Sequence, residues 1–387
     1  MLLNTAKRLE QKLLIHPDLK ANNFDLLRFL LAVAVIYSHC YVIYYGAVRD
    51  TEPFMLFSQN QTDLGGIAVN GFFIISGFLI VSSYRHSKST LEFLKKRILR
   101  IYPGFIVAFL ISMLVLGPLG TFDQAHPQGN VAQYFEFLRK KLLLLNLFTL
   151  QAPSAVLCFQ PSPLPNQLNE SLWTIQYEFI CYLTVPFIAF FKVFRRKWVA
   201  VLVFTAAYLL LVLQASSQLF LWEGYQGKLI SNPVYFPRFF TYFFAGCCVY
   251  LFRRRLQRNH LLALLALSSL ITSMVWFGGF DLVAPFSLTY LLFYIAYLPH
   301  IQLQNFTRYG DFSYGTYLYA WPIQQLVMLF AGGQLTPGSL FLVSFAFTVV
   351  AAYASWHGIE KHFLKLKDNP RWLPFALFTF PVFSARK

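Results

Sequence analysis

Phe24-Asp25-Leu26-Leu27-Arg28-Phe29-Leu30-Leu31-Ala32-Val33-Ala34-Val35-Ile36-Tyr37-Ser38-His39-Cys40-Tyr41 is the stretch on which the reading of this chain turns. It is apolar enough to enter a bilayer, yet it carries a guanidinium and an imidazole. A helix turns about 100° per residue, so the eleven steps from Arg28 to His39 bring both to within roughly 20° of one face. The rise separates them by about 16 Å, half a bilayer. Ionisable groups in lipid are costly and seldom incidental, so the pair marks a polar path through the membrane.

The rest of the chain supports a polytopic membrane protein. Hydrophobic residues make up 57% and charged residues 12%, against a soluble norm of about 45–50% and 25%. Apolar runs near the spanning length recur at 24–45, 65–84, 101–120, 171–191, 198–215, 236–252, 260–278, 282–299, 312–331 and 338–356. These predict an all-α bundle of about ten transmembrane helices over residues 24–356. A cytoplasmic segment (1–23) precedes it and a basic tail (357–387) follows. The net charge of +16 does not imply nucleic-acid binding, because its distribution follows topology. With the N-terminus cytoplasmic, the inner side collects Lys7, Arg8, Arg85, Lys95–Arg97, Arg100, Arg195–Lys197, Arg253–Arg255 and Arg258. The outer side keeps mainly Arg49, Lys228, Arg238 and the trio Arg139–Lys141. This is the positive-inside pattern, with both termini cytoplasmic and basic clusters facing anionic lipid. Segment 139–150 is too short to span and reads as interfacial or re-entrant. Trp372–Phe383 reads as lying on the inner surface. The polar first 23 residues are not a signal peptide. Five cysteines show neither zinc-like spacing nor a disulfide framework, and no metal site is expected.

Few ionisable residues lie inside the predicted spans. Asp25 and Arg28 are three residues apart and able to pair. Glu178, seven residues into the fourth span, falls at about the depth of His39. A carboxylate there could orient the imidazole as a general base requires, and the plain alternative is a glutamate that joins two helices. Arg97 and Arg100 share a helix face and could reach one anion, a phosphate by preference, or could serve only as a topology anchor. Ile74–Ile80 and Asp311–Leu318 are small-residue segments suited either to a cofactor arm or to close helix packing. The proline-stiffened loop Pro153–Glu170, with Trp173 and Tyr177 below it, could form a mouth over His39.

Taken together, these residues resemble the membrane acyltransferase 3 family, in particular its O-antigen and exopolysaccharide O-acetyltransferases. The resemblance covers about residues 22–360. It rests on Arg28-x10-His39, Arg97-x-x-Arg100, Ser76–Ile80, Ser171-Leu172-Trp173…Glu178, and Ser313-Tyr314…Tyr317-Leu318. Two positions depart from it: Asn70 or Gly71 stands where many relatives are acidic, and Ala320 where many have histidine. The resemblance implies acyl transfer, most simply from acetyl-CoA as donor, to a hydroxyl of a cell-surface or lipid-linked carbohydrate, without a metal. His39 would act as base or acyl relay, with Glu178 behind it. Arg28, Arg97, Arg100, Tyr314 and Tyr317 would hold the donor, and Asp25, Ser76, Trp173 and Ser313 would support the site. It also implies a bacterial inner membrane, with polysaccharide-assembly proteins as partners and no nucleic acid. The rival reading is a secondary transporter or polysaccharide flippase, which also needs polar residues at mid-depth.

Overall fold

The computed structural model describes residues 22–46, 51–121, 131–140, 143–153, 157–160, 162–190, 197–216, 227, 229–298, 306 and 310–368. Among these, all regular structure is helical. In chain order the helices are α1 (Phe24–Tyr45), α2 (Pro53–Phe57), α3 (Leu64–Arg85) and α4 (Thr90–Ile111). A π-turn (Ser112–Leu116) and a short helix (Gly117–Gly120) prolong α4. There follow α5 (Val131–Lys140), α6 (Leu143–Thr149), α7 (Trp173–Phe190), α8 (Lys197–Ala215) and α9 (Phe236–Phe252). The last are α10 (His260–Thr272), α11 (Phe280–Ala296), α12 (Ser313–Phe330), α13 (Pro337–Ser355) and α14 (Lys361–Lys365).

Seven of these elements are long and apolar enough to cross a membrane: α1, α3, α4, α7, α8, α9 and α13 with their extensions. The other three expected runs are helices in the expected places but fall short for two reasons. α10 and α11 are shorter apolar helices. α12 has 18 residues but carries Ser313, Thr316, Gln324 and Gln325, all buried inside the bundle. A helix enclosed by other helices does not need the apolarity of one that faces lipid. Segment 139–150 is divided between the ends of α5 and α6, neither of spanning length. Trp372–Phe383 and most of segment 1–23 lie outside the described residues.

α3 is the central element and packs on α1, α7, α9 and α11. Its approach to α9 is backbone to backbone. A Cβ added to Gly77 would lie 1.9 Å from the Phe243 carbonyl oxygen, and one added to Gly246 would lie 1.9 Å from that of Ile74. Small residues at such a crossing let van der Waals packing replace the hydrophobic drive that lipid cannot supply. Gly315 of α12 similarly abuts Ala352 of α13, 2.9 Å from its Cα. The glycines of both small-residue segments therefore serve helix packing. Aromatic rings fill the remaining core, with Phe73 stacked on Phe239 at 4.3 Å and Phe24 and Phe293 against Phe78.

Candidate active site

The register of α1 against α3 builds the first site. Gly65 lies against the Ser38 side chain, where an added Cβ would be 3.0 Å from Oγ. The N-terminus of α3, with its cap residue Asp63, is thereby brought to the level of His39. Asp63 accepts a hydrogen bond from the Gly66 amide at 2.5 Å, as an N-cap does. Between these helices and α7, α9 and α12 lies a cavity of about 640 Å³. Its ionisable lining is His39, Asp63, Glu170 and Arg238. Its rings are Trp173, Tyr177, Tyr235, Tyr317 and Trp321. Leu164 and Gln167 of the proline-rich loop also line it, so that loop does form part of a mouth over His39.

The His39 ring meets Trp321 edge-on, with centroids 4.8 Å apart. Its Nδ1 is enclosed and has no hydrogen-bond partner. Asp63 lines the same cavity as the imidazole. Arg238 is held by neutral groups: Nε donates to Asn70 Oδ1 at 2.8 Å and Nη2 to the Gly66 carbonyl at 3.0 Å. Tyr317 bonds Thr174 at 2.6 Å, and Trp321 donates to the Gln167 carbonyl at 3.3 Å.

A second cluster lies toward the other end of the bundle. Arg28 and Arg100 both pair with Asp311 Oδ2, at 3.2 and 2.5 Å. Ser313 donates to the other oxygen of Asp311 at 2.6 Å. Burial alone would raise the Asp311 carboxyl, but Arg100 and Arg28 outweigh it and hold the group below the usual carboxylate range. Tyr314 donates to the Ile101 carbonyl at 2.9 Å and lies under the Arg100 guanidinium, 5.6 Å from the ring centre. Arg97 donates to Ser83 Oγ at 3.3 Å, and its Nε is enclosed without a partner. The charges within reach of Arg97 include Glu178, Arg100 and Arg28.

Two expected arrangements are corrected. Glu178 does not meet His39. Its carboxylate accepts from Ser76 at 2.7 Å and from the Tyr182 hydroxyl, and it is absent from the cavity lining. Gly65 marks the His39 level on α3 and Ser76 the Glu178 level, which puts about 16 Å between the two. The cause is the start of α7. Asn169 is fully buried, donating to Ser112 Oγ and the Leu318 carbonyl, so α7 begins well inside the bundle and Glu178 is correspondingly deeper. Second, Arg97 and Arg100 point to different partners, Ser83 and Asp311. Arg28 also makes an ion pair across the chain with Asp311, and Asp25 stands in the first turn of α1. Asp63, Glu170 and Trp321 have no site role in the sequence reading, which takes Asp311 only as the start of a small-residue segment and Arg238 only as an outer-side charge. Asp63 alone carried a local signal, an N-cap residue before an apolar run.

Among the described residues the bundle is all-helical, seven of its helices are long and apolar enough to cross a membrane, an imidazole lines its cavity, and half-buried arginines stand toward the other end. The profile described as an acyltransferase domain matches residues 22–357, and the chain belongs to that acyltransferase family. It is 27% identical over 356 residues to an O-acetyl transferase of Shigella phage Sf6, covering 91% of this chain and 98% of that one. It is 29% identical over 375 residues to nodulation protein 10 of Rhizobium leguminosarum bv. viciae, covering 92% and 96%. It is also 31% identical over 160 residues to the acyltransferase MdmB of Streptomyces mycarofaciens, covering 41% and 37%. No solved structure is a significant match. The protein is an integral membrane acyltransferase.

Proposed function

We propose that this enzyme transfers an acyl group, acetyl in the simplest case, from acyl-CoA to a hydroxyl of a carbohydrate seated in the His39 cavity. The observation that carries the reading is the cavity itself. Its five aromatic rings, with Asp63, Glu170, Gln151, Gln167 and Asn232, supply the apolar faces and the bonding groups that sugar rings and hydroxyls need. The O-acetyl transferase relative supports the O-acyl product.

The donor phosphates belong at the arginine end. Arg28 and Arg100 share the Asp311 carboxylate there, Glu360 lies buried nearby, and among the described residues Arg97 forms no carboxylate ion pair and bonds Ser83 instead. Arginine is suited to phosphate by its planar fork of donors. The positive-inside pattern supports the cytoplasmic side for this end, and the family resemblance supports a bacterial inner membrane. The thioester arm would pass Tyr314 and Tyr317 toward His39. His39 takes the proton of the acceptor hydroxyl as that oxygen attacks the thioester carbonyl. The tetrahedral adduct expels the CoA sulfur, which leaves with the proton from the imidazolium. A base of this kind supplies about 10²–10⁴-fold.

The test is thiol release by protein purified in detergent, given acetyl-CoA and a polysaccharide acceptor. Free CoA and O-acetylated sugar are expected from wild type, with both lost in His39→Ala. A folded wild type that neither binds acetyl-CoA nor releases thiol would refute the reading and favour transport of the sugar. Labelled acyl trapped on His39 without acceptor would replace base catalysis by an acyl-histidine relay.

A further inference from the structure

We infer that Asp63 is the carboxylate that works with His39. It is a positioning residue that holds the imidazolium formed when the acceptor loses its proton, a role the spacing along the chain had suggested for Glu178. The inference rests on the acyl-transfer reading above. Its ground is the packing of two helices. Gly65 at the Ser38 level fixes the start of α3 beside His39, and Asp63 and His39 line the same cavity. Asp63 is held in place rather than free to swing. One carboxylate oxygen is tied to the Gly66 amide, and Gly66 itself has no space for a side chain, since an added Cβ would lie 2.8 Å from that oxygen.

His39 Nδ1 is enclosed with no hydrogen-bond partner among the described residues, so a charge on the ring is left to the charged groups that line the cavity. Asp63 therefore acts through its field, which is strong where water is scarce. The other ionisable groups facing the cavity are Glu170 before α7, Arg238 on α9, Tyr177 and Tyr235, and Tyr317 on α12. Of these, Arg238 approaches the Asp63 region, its Nη2 lying on the Gly66 carbonyl. Behind Asp63, Glu52 accepts from the Leu64 amide at 3.3 Å. The arrangement balances chemically: the proton moves from the acceptor oxygen to His39 and on to the departing sulfur, while Asp63 stays ionised throughout.

The test separates charge from capping. Asn caps a helix about as well as Asp, so Asp63→Asn keeps the Gly66 bond and removes only the charge. Asp63→Glu keeps the charge in a residue less suited to the cap. The assay is thiol release from acetyl-CoA with a panel of methyl hexosides as acceptors, run beside thermal unfolding in detergent. For Asp63→Asn, kcat should fall roughly 10- to 100-fold, a share of what a general base supplies. KM for acetyl-CoA and the thermal midpoint should not change. Asp63→Glu should recover much of kcat while unfolding earlier. A wild-type kcat in Asp63→Asn overturns the assignment and leaves acyl transfer standing. So does a loss that tracks the thermal midpoint and is not recovered by Glu, which would mark Asp63 as a cap only. A wild type that releases no thiol overturns both readings.

Discussion

Asp311 bridges α1, α4 and the entry to α12, and replacing it should cost more stability than its size suggests. Its oxygen lies 3.2 Å from Arg28 and 2.5 Å from Arg100, with side chains only 20% and 16% exposed for the two arginines and 16% for the aspartate. At that burial, removing one member of an ion pair strands the other charge and costs roughly 3–5 kcal/mol. Asp311→Asn keeps the shape but leaves two guanidiniums facing each other, so about 3 kcal/mol is a fair expectation. Detergent unfolding of a membrane protein is commonly irreversible, so the useful observable is a half-life at fixed temperature. If the bridge is broken in the unfolding transition state, that energy shortens the half-life by on the order of 10²-fold. Arg28→Gln combined with Asp311→Asn should be less damaging than the two single effects added. The pH dependence follows in sign. The folded group is held below the usual carboxylate range, so its stabilisation is complete above the ordinary aspartate value of about 3.9 and is lost as pH falls further. The ratio of wild-type to Asp311→Asn half-lives should therefore be large at pH 7 and shrink toward one below about pH 4. A variant as durable as wild type at pH 7, or a ratio indifferent to acid, would refute the account.

Two further outcomes test the frame. Arg97→Gln should raise KM for acetyl-CoA by roughly 10- to 100-fold, the worth of a hydrogen bond to a charged group, without changing KM for the sugar; an unchanged donor KM would exclude Arg97 from phosphate binding. Gly246→Val should abolish monodisperse protein on size exclusion, because its Cβ would fall on the Ile74 carbonyl and overpacking typically costs about 1–3 kcal/mol or more. Gly338→Val, whose added Cβ meets nothing within 4 Å, is the control that should elute normally.

Much of the frame was legible because bilayer thickness imposes a length on every span. The apolar runs from 24–45 to 338–356 all fall on helices. The exception in kind is α12, where length was readable but role was not. Its glutamines are spent inside the bundle, Gln324 donating to the Ile36 carbonyl at 2.7 Å and Gln325 joined to Ser162 of the loop at 3.0 Å. Hydropathy averages such residues with their neighbours and cannot tell a polar face turned inward from a helix that is simply less apolar. The Arg28–His39 spacing was readable because it lies within one helix, where the rise per residue sets the separation.

Sites made by two helices obey a different constraint, and there the sequence reading failed. Depth counted along α7 assumed that its first residue lies at the membrane surface. Burial of Asn169 against Ser112 and the Leu318 carbonyl places that start within the bundle, and Glu178 descends with it to Ser76 and Tyr182. Asp63, by contrast, belongs to the turn before α3 and counted as extramembrane, yet the contact of Gly65 with Ser38 brings it to the imidazole. Stagger between helices is set by small residues and by buried polar bonds distant in sequence, and one carboxylate can replace another at a site when stagger changes by a few turns. Two glycines of α3 lie against α1, Gly65 on Ser38 and Gly71 on Leu31, and it is the Gly65 contact that sets the start of α3 at the level of His39.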